Sequence, residues 1–244
     1  MPTSEFQFLG VPHVVALALT ITLPAALSVL VRKADSSVLT NAVCYLLAGI
    51  LIINEIGGWI YRAATVQSFS IFVQNHLPLH ICGVALFVVV LALLCRNQIL
   101  YEIGYFWGIV GTLNAVITPQ LAVDFPHYRF FQYFIVHGGI VASGLFATWG
   151  LRMRPTFKGL LRSFLLANLY MVVIAGINLL LKSNYMFICD PPYTKSPFFF
   201  APWPWYIPIL DAVAFVLFCV VYSPFLIGDW LRSLSPKTIT DKKN

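Results

Sequence analysis

Seven stretches of this chain are each apolar enough and long enough to cross a bilayer, and no fold built for water accommodates seven of them. They lie at about residues 11–31, 39–61, 77–95, 99–119, 130–150, 159–181 and 205–228. A helix of about 20 apolar residues matches the roughly 30 Å hydrocarbon core. That core offers no water to the backbone, so each stretch must satisfy its own N–H and C=O groups as an α-helix. The expected fold is therefore all-α: a single polytopic transmembrane bundle of seven helices over residues 1–244. Composition closes off the alternatives. Apolar residues make up 59% of the chain and charged residues 10%, with a mean hydropathy of +0.84. A soluble domain carries about 25% charge.

The basic residues act as topology signals. The net charge is +6, but Lys and Arg are scattered between the apolar stretches, not gathered into a patch that tracks phosphates, so a nucleic-acid partner is not expected. On the C-terminal side of the seven-span arrangement stand eleven of them: Arg32, Lys33, Arg96, Arg152, Arg154, Lys158, Arg162, Arg232, Lys237, Lys242 and Lys243. The other side carries four, Arg62, Arg129, Lys182 and Lys195. Positive charge stays inside, so the N-terminus is expected outside and the C-terminus in the cytoplasm. The first ten residues hold no Lys or Arg, and no cleaved signal peptide is expected. Of the cysteines Cys44, Cys82, Cys95, Cys189 and Cys219, no pair forms a CxxC, and neither a disulfide framework nor a zinc site is read from them.

Polar residues inside the stretches are expensive and so informative. With that topology, His13, Asn54, Glu55, His80, Asn114, Thr118, His137, Asn178 and Asp211 all fall in the outer half of the bilayer. One shared polar pocket opening outward explains that one-sidedness. Asn and Thr alone act as interhelical glue, whereas Glu55, His80, His137 and Asp211 point to function. His76 and His80 stand four apart, on one face if the segment is helical, with Pro78 at the helix start. Segment 66–76 is expected along the outer surface. The loop 189–206 is rich in proline, which excludes regular helix. Its Phe198, Phe199, Phe200, Trp203, Trp205 and Tyr206 suit the interface, as an anchor or as a lid over the pocket. Gly104, Gly108 and Gly111 predict close helix packing. No GxSxG, HExxH or phosphate loop is present, and no cofactor or metal is expected. A histidine at this depth can act as a general base with a carboxylate to orient it. Cys82 is the thiol nearest His80 in sequence, although two residues apart on a helix point to different faces.

The runs LPLHICG (77–83), QYFIVHGG (132–139), INLLLKSNYMFICDPP (177–192) and PWPWY (202–206), in that order and spacing, resemble the YwaF-type bacterial integral membrane proteins. Those are similar in turn to animal transmembrane protein 164. The resemblance spans roughly residues 40–230. It implies a multi-pass protein of the bacterial plasma membrane, related to a lipid acyltransferase that works on ether phospholipids with a Cys–His pair. The family's Pro-Cys-His stretch falls on Pro78, Leu79 and His80, and its second histidine falls on His137. The thiol position is Leu79 here. The implied function is acyl-lipid processing, as acyltransferase or ester hydrolase. His137 would be the base and His80 an oxyanion donor or second base. Cys82 would be the candidate nucleophile, and Glu55 or Asp211 would orient His137. Asn54, Asn114, Asn178 and Trp205 complete the expected pocket, and membrane lipids are the expected partners. The alternative reading is a non-catalytic protein that binds or transports a lipid or small amphiphile.

Overall fold

The computed structural model describes residues 5–191 and 201–234. They form eight α-helices: α1 (Val11–Ala34), α2 (Ser37–Thr65), α3 (Phe69–Asn75), α4 (Ile81–Cys95), α5 (Gln98–Ile117), α6 (Tyr128–Trp149), α7 (Phe157–Leu181) and α8 (Tyr206–Leu234). A 3-10 turn spans Tyr185–Phe187. Extended pairing among the described residues is a single bridge, Glu5 with Val123. Six helices, all but α3 and α4, are long and apolar enough to cross a membrane. The protein is thus an all-helical polytopic membrane bundle.

The helices begin where a side chain can take over the first free N–H groups. Ser36 Oγ accepts from Leu39 N, Asn97 Oδ1 from Ile99 N and Leu100 N, and Thr156 Oγ1 from Gly159 N. The expected third span is the one that differs most. Its helix α4 starts at Ile81, not at residue 77, and has 15 residues. At 1.5 Å per residue that is only about 22 Å. The cause is Pro78, whose ring disfavours helical conformation in the residue before it. The chain turns there, with Leu79 N donating to Leu77 O at 2.8 Å. His76 consequently caps the end of α3 while His80 caps the start of α4. The two histidines do not share a helical face, which corrects the expectation from their spacing.

Helices α5 and α6 are the centre of the bundle. Of their apolar windows, 56% and 67% are buried, against 11% for α7 and 6% for α8. Leu179 and Leu180 on α7 are 79% and 84% exposed, as lipid-facing residues should be. The expected glycine packing is present. A Cβ on Gly104 would stand 2.8 Å from Val89 Cγ2, and one on Gly108 would stand 2.9 Å from Ile140 Cγ2. Only glycine lets α5 approach α4 and α6 this closely.

Alternating helix directions bring the start of α1, α4, α6 and α8 to the same end as the close of α2, α5 and α7. We call this the histidine end. His13 is fully buried there and its Nε2–H donates to Val116 O at 2.9 Å, tying α1 to α5. The opposite end is held by charge. Glu102 on α5 is 1% exposed. It accepts from Gln98 Nε2 at 3.1 Å, from Thr156 N at 3.0 Å, from Thr156 Oγ1 at 2.7 Å, and from Arg162. Arg154 Nη2 meets Asp229 Oδ1 at 2.8 Å.

Candidate functional site

The expected site residues do gather at the histidine end, but in three places instead of one. Their separation follows from helix rotation, which spacing along the chain does not encode.

The first place holds His80, Cys82 and His137. His80 is half-buried at the cap of α4, and its Nδ1 accepts the Met186 N–H at 3.2 Å. Its ring packs against Tyr185 and Phe187, with centroids 5.4 and 5.3 Å away. His137 lies two and a half turns into α6, with Nδ1 2.9 Å from Tyr133 O and its ring 4.2 Å from the Tyr133 ring. The partner of each Nδ1 fixes the tautomer. A backbone N–H can only donate, so His80 Nδ1 is bare and the neutral ring carries its proton on Nε2. A carbonyl can only accept, so His137 Nδ1 carries the proton and Nε2 presents a lone pair. His80 and His137 lie within electrostatic range of each other. Cys82 in the first turn of α4 is half-buried, and its thiol lies within range of Tyr133 and Tyr170.

The His80 position is built from α7. Asn178 is buried, and its Nδ2 donates to Tyr185 O at 2.9 Å. Its Oδ1 accepts from Tyr185 N at 2.9 Å and Ser183 Oγ at 2.8 Å. This clamps the turn that presents Met186 N to His80. Tyr185 then reaches α3 and the Pro78 turn: its hydroxyl donates to Val73 O at 2.7 Å and accepts from Leu77 N at 3.0 Å. Tyr170 donates to Leu79 O at 2.9 Å. Asn178 is thus a positioning residue, not part of the pocket wall.

The second place is a charged cluster between α2 and α6. Glu55, expected to orient His137, instead pairs with Arg62: Nη2 to Oε1 is 3.2 Å. Arg129 Nη1 donates to Gln132 Oε1 at 2.7 Å, and Asn54 Nδ2 donates to Gln132 O at 3.0 Å. Seven residues along α2 put Glu55 and Arg62 two turns apart on one face, and that pairing wins over any reach to His137.

The third place is a cavity of about 200 Å³ between α5, α7, α8 and the 186–188 turn. Trp107, Phe164, Phe187 and Phe218 supply apolar walls, and Asp211 with Asn168 supplies the polar point. Asn168 Nδ2 donates to Asp211 Oδ1 at 3.1 Å. Asp211 therefore lines a cavity in which His137 has no part. Met186 and Phe187 form one wall of it, so the cavity is separated from His80 by the turn that binds it.

Two expected pocket residues are elsewhere. Asn114 is exposed and accepts from Thr118 Oγ1, one turn along its own helix, at 3.2 Å. Trp205 is 67% exposed at the bundle surface. In the loop before α8, Trp203 Nε1 donates to Ile188 O at 3.0 Å. The expected lid residues Phe198, Phe199 and Phe200 lie outside the described residues. Among the described residues, no three His, Cys, Asp or Glu side chains come together as metal ligands.

Sequence reading missed Tyr133, Tyr170, Tyr185, Asn168, Arg129 and Gln132. Each is polar within or beside an apolar stretch, a visible signal. Aromatic residues and flanking arginines are so common at membrane interfaces that the signal singles out none of them.

A protein-family model described as the TMEM164 family matches residues 8–222. No curated protein and no solved structure matches the chain.

Proposed function

The chain belongs to the TMEM164 family, and on that premise we propose that it is a membrane-embedded enzyme that hydrolyses or transfers an acyl group of a lipid at the histidine end. The carrying observation is that the two histidines meet opposite partners at Nδ1, a carbonyl at His137 and an N–H at His80. His137 offers a bare Nε2, held so by the Tyr133 carbonyl. His80 offers an Nε2–H, held so by the Met186 N–H. A general base needs the first and a developing oxyanion needs the second.

The step runs as follows. A water oxygen attacks the ester carbonyl carbon while His137 Nε2 takes its proton. The carbonyl oxygen becomes an oxyanion and accepts from His80 Nε2–H. Collapse breaks the ester C–O bond, and the leaving alkoxide takes the proton back from His137. The products are a fatty acid and an alcohol. A lipid hydroxyl in place of water makes the same sequence an acyl transfer. Leu79 stands where the family's thiol is expected, so an oxygen nucleophile suits this chain better than sulfur. Cys82 is the remaining thiol candidate.

Lipid mass spectrometry of reconstituted protein with defined phospholipids, lysolipids and fatty-acid esters tests this. The wild type and Cys82→Ala should both form product, and His137→Gln should lose about 100-fold or more in rate. Unchanged products from a folded His137→Gln protein would overturn the proposal. The cavity beside Asp211 favours one second reading, a non-catalytic lipid binder. Its mark would be a lipid retained unconverted by wild type and His137→Gln alike.

A further inference from the structure

The geometry points to a binding site for a phosphate-type anion, carried on a lipid headgroup or free in solution, where Arg62, Arg129 and Gln132 converge beside Gly58. The place where a Cβ on Gly58 would stand is 2.9 Å from Gln132 Nε2 and 3.5 Å from Arg62 Nη2. Two nitrogen donors from different helices thus close side by side over the Gly58 backbone, where a Cβ would force one of them to move. Arg129 is attached to the same spot through its 2.7 Å bond to Gln132 Oε1.

The charge there does not balance. Among the described residues, the carboxylate paired there is Glu55, and it is engaged by Arg62 at 3.2 Å. Arg129 makes no ion pair among the described residues, and it lies within range of the like charge of Arg62. His76 stands in the field of both arginines. Two guanidinium groups held at each other's expense, half-buried at one end of a membrane bundle, are costly unless an anion joins them. A donor is also left over: Arg62 Nε is buried without a hydrogen-bond partner among the described residues. A buried donor without a partner calls for a missing acceptor. Phosphate suits two arginines on separate helices, because it offers several acceptor oxygens to planar forks that bind two at a time. This site goes beyond the proposed chemistry and does not need it, since a lipid can be held here without being cleaved.

The test is binding by the full-length protein in nonionic detergent. The probes are a monoacylglycerol phosphate, the monoacylglycerol with the same chain, and inorganic phosphate. The wild type should prefer the phosphorylated lipid by about tenfold or more. Arg129→Gln should abolish the preference, Arg129→Lys should keep part of it, and Gly58→Ala should weaken it by pushing the Gln132 amide aside. His137→Gln should leave it intact, which separates this site from the acyl chemistry. Inorganic phosphate should erode the preference on the wild type while chloride of equal ionic strength does not, an arm that needs no variant. Thermal stabilisation by inorganic phosphate with no preference between the lipids would assign the site to free phosphate. Equal binding of both lipids with no effect of phosphate, or an unchanged preference in Arg129→Gln, would overturn the proposal.

Discussion

His80 and His137 differ in which ring nitrogen holds the proton because a backbone N–H reaches one and a carbonyl reaches the other. Nitrogen-15 NMR of the neutral rings should therefore report Nε2–H for His80 and Nδ1–H for His137. The same tautomer in both would remove the division of labour on which the proposed reaction rests. His76 provides a second residue-scale test, outside the spans. Burial first, then the charges of Arg62 and Arg129, hold its pKa below the usual histidine range. The unfolded chain then binds the proton more readily than the folded one, so His76 removes stability as pH falls through the unfolded value of about 6.5. Its midpoint should rise in Arg129→Gln, read by imidazole proton shifts, because one repelling charge has gone. Individual histidines were legible in the sequence as costly residues. Their tautomers were not, since the groups that set that of His80 lie more than a hundred residues away in the chain.

Among the elements, the α7 end and the turn after it work as one part. Asn178 satisfies both sides of Tyr185 and the Ser183 hydroxyl. Asn178→Ala should cost about 2–3 kcal/mol, since buried backbone groups lose their partner, and should slow lipid turnover through the displaced His80. Denaturant unfolding and the product assay read the two effects. At the opposite end, α7 can pack on α5 only because residue 159 is glycine. A Cβ there would fall 2.1 Å from Glu102 Cδ, displacing a carboxylate that serves several donors. Gly159→Ala should destabilise by about 3 kcal/mol or more. Gly176→Ala on the same helix, with nothing within 4 Å, should not lower the midpoint and should raise it slightly, since alanine favours a helix interior over glycine. The small-residue stripe on α5 was readable because its four- and three-residue spacing is itself the packing signal. The shortened α4 was not read, because apolar character continues through Leu77 and Leu79 while Pro78 breaks the helix.

For the whole molecule, the distribution of Lys and Arg predicts which end faces out. Cys95 is exposed at the end of α4, and Cys189 is partly exposed beyond the Tyr185 turn. In single-cysteine variants on intact cells, a membrane-impermeant thiol reagent should label Cys189, and Cys95 only after permeabilisation. The reverse pattern would invert the bundle. The sequence by itself determined that the chain is a helical membrane bundle, because hydrocarbon thickness and unsatisfied backbone leave no other solution for stretches this apolar. It also placed His13, His80, His137 and Glu55 toward one end, because depth along a helix follows directly from position in the chain, while Glu102, buried at the other end, was not read. Only the tertiary structure decided which of them meet. Rotation about each helix axis is set by packing against neighbours, and that rotation sent Glu55 to Arg62, Asp211 to Asn168, and Asn178 beneath the turn that holds His80.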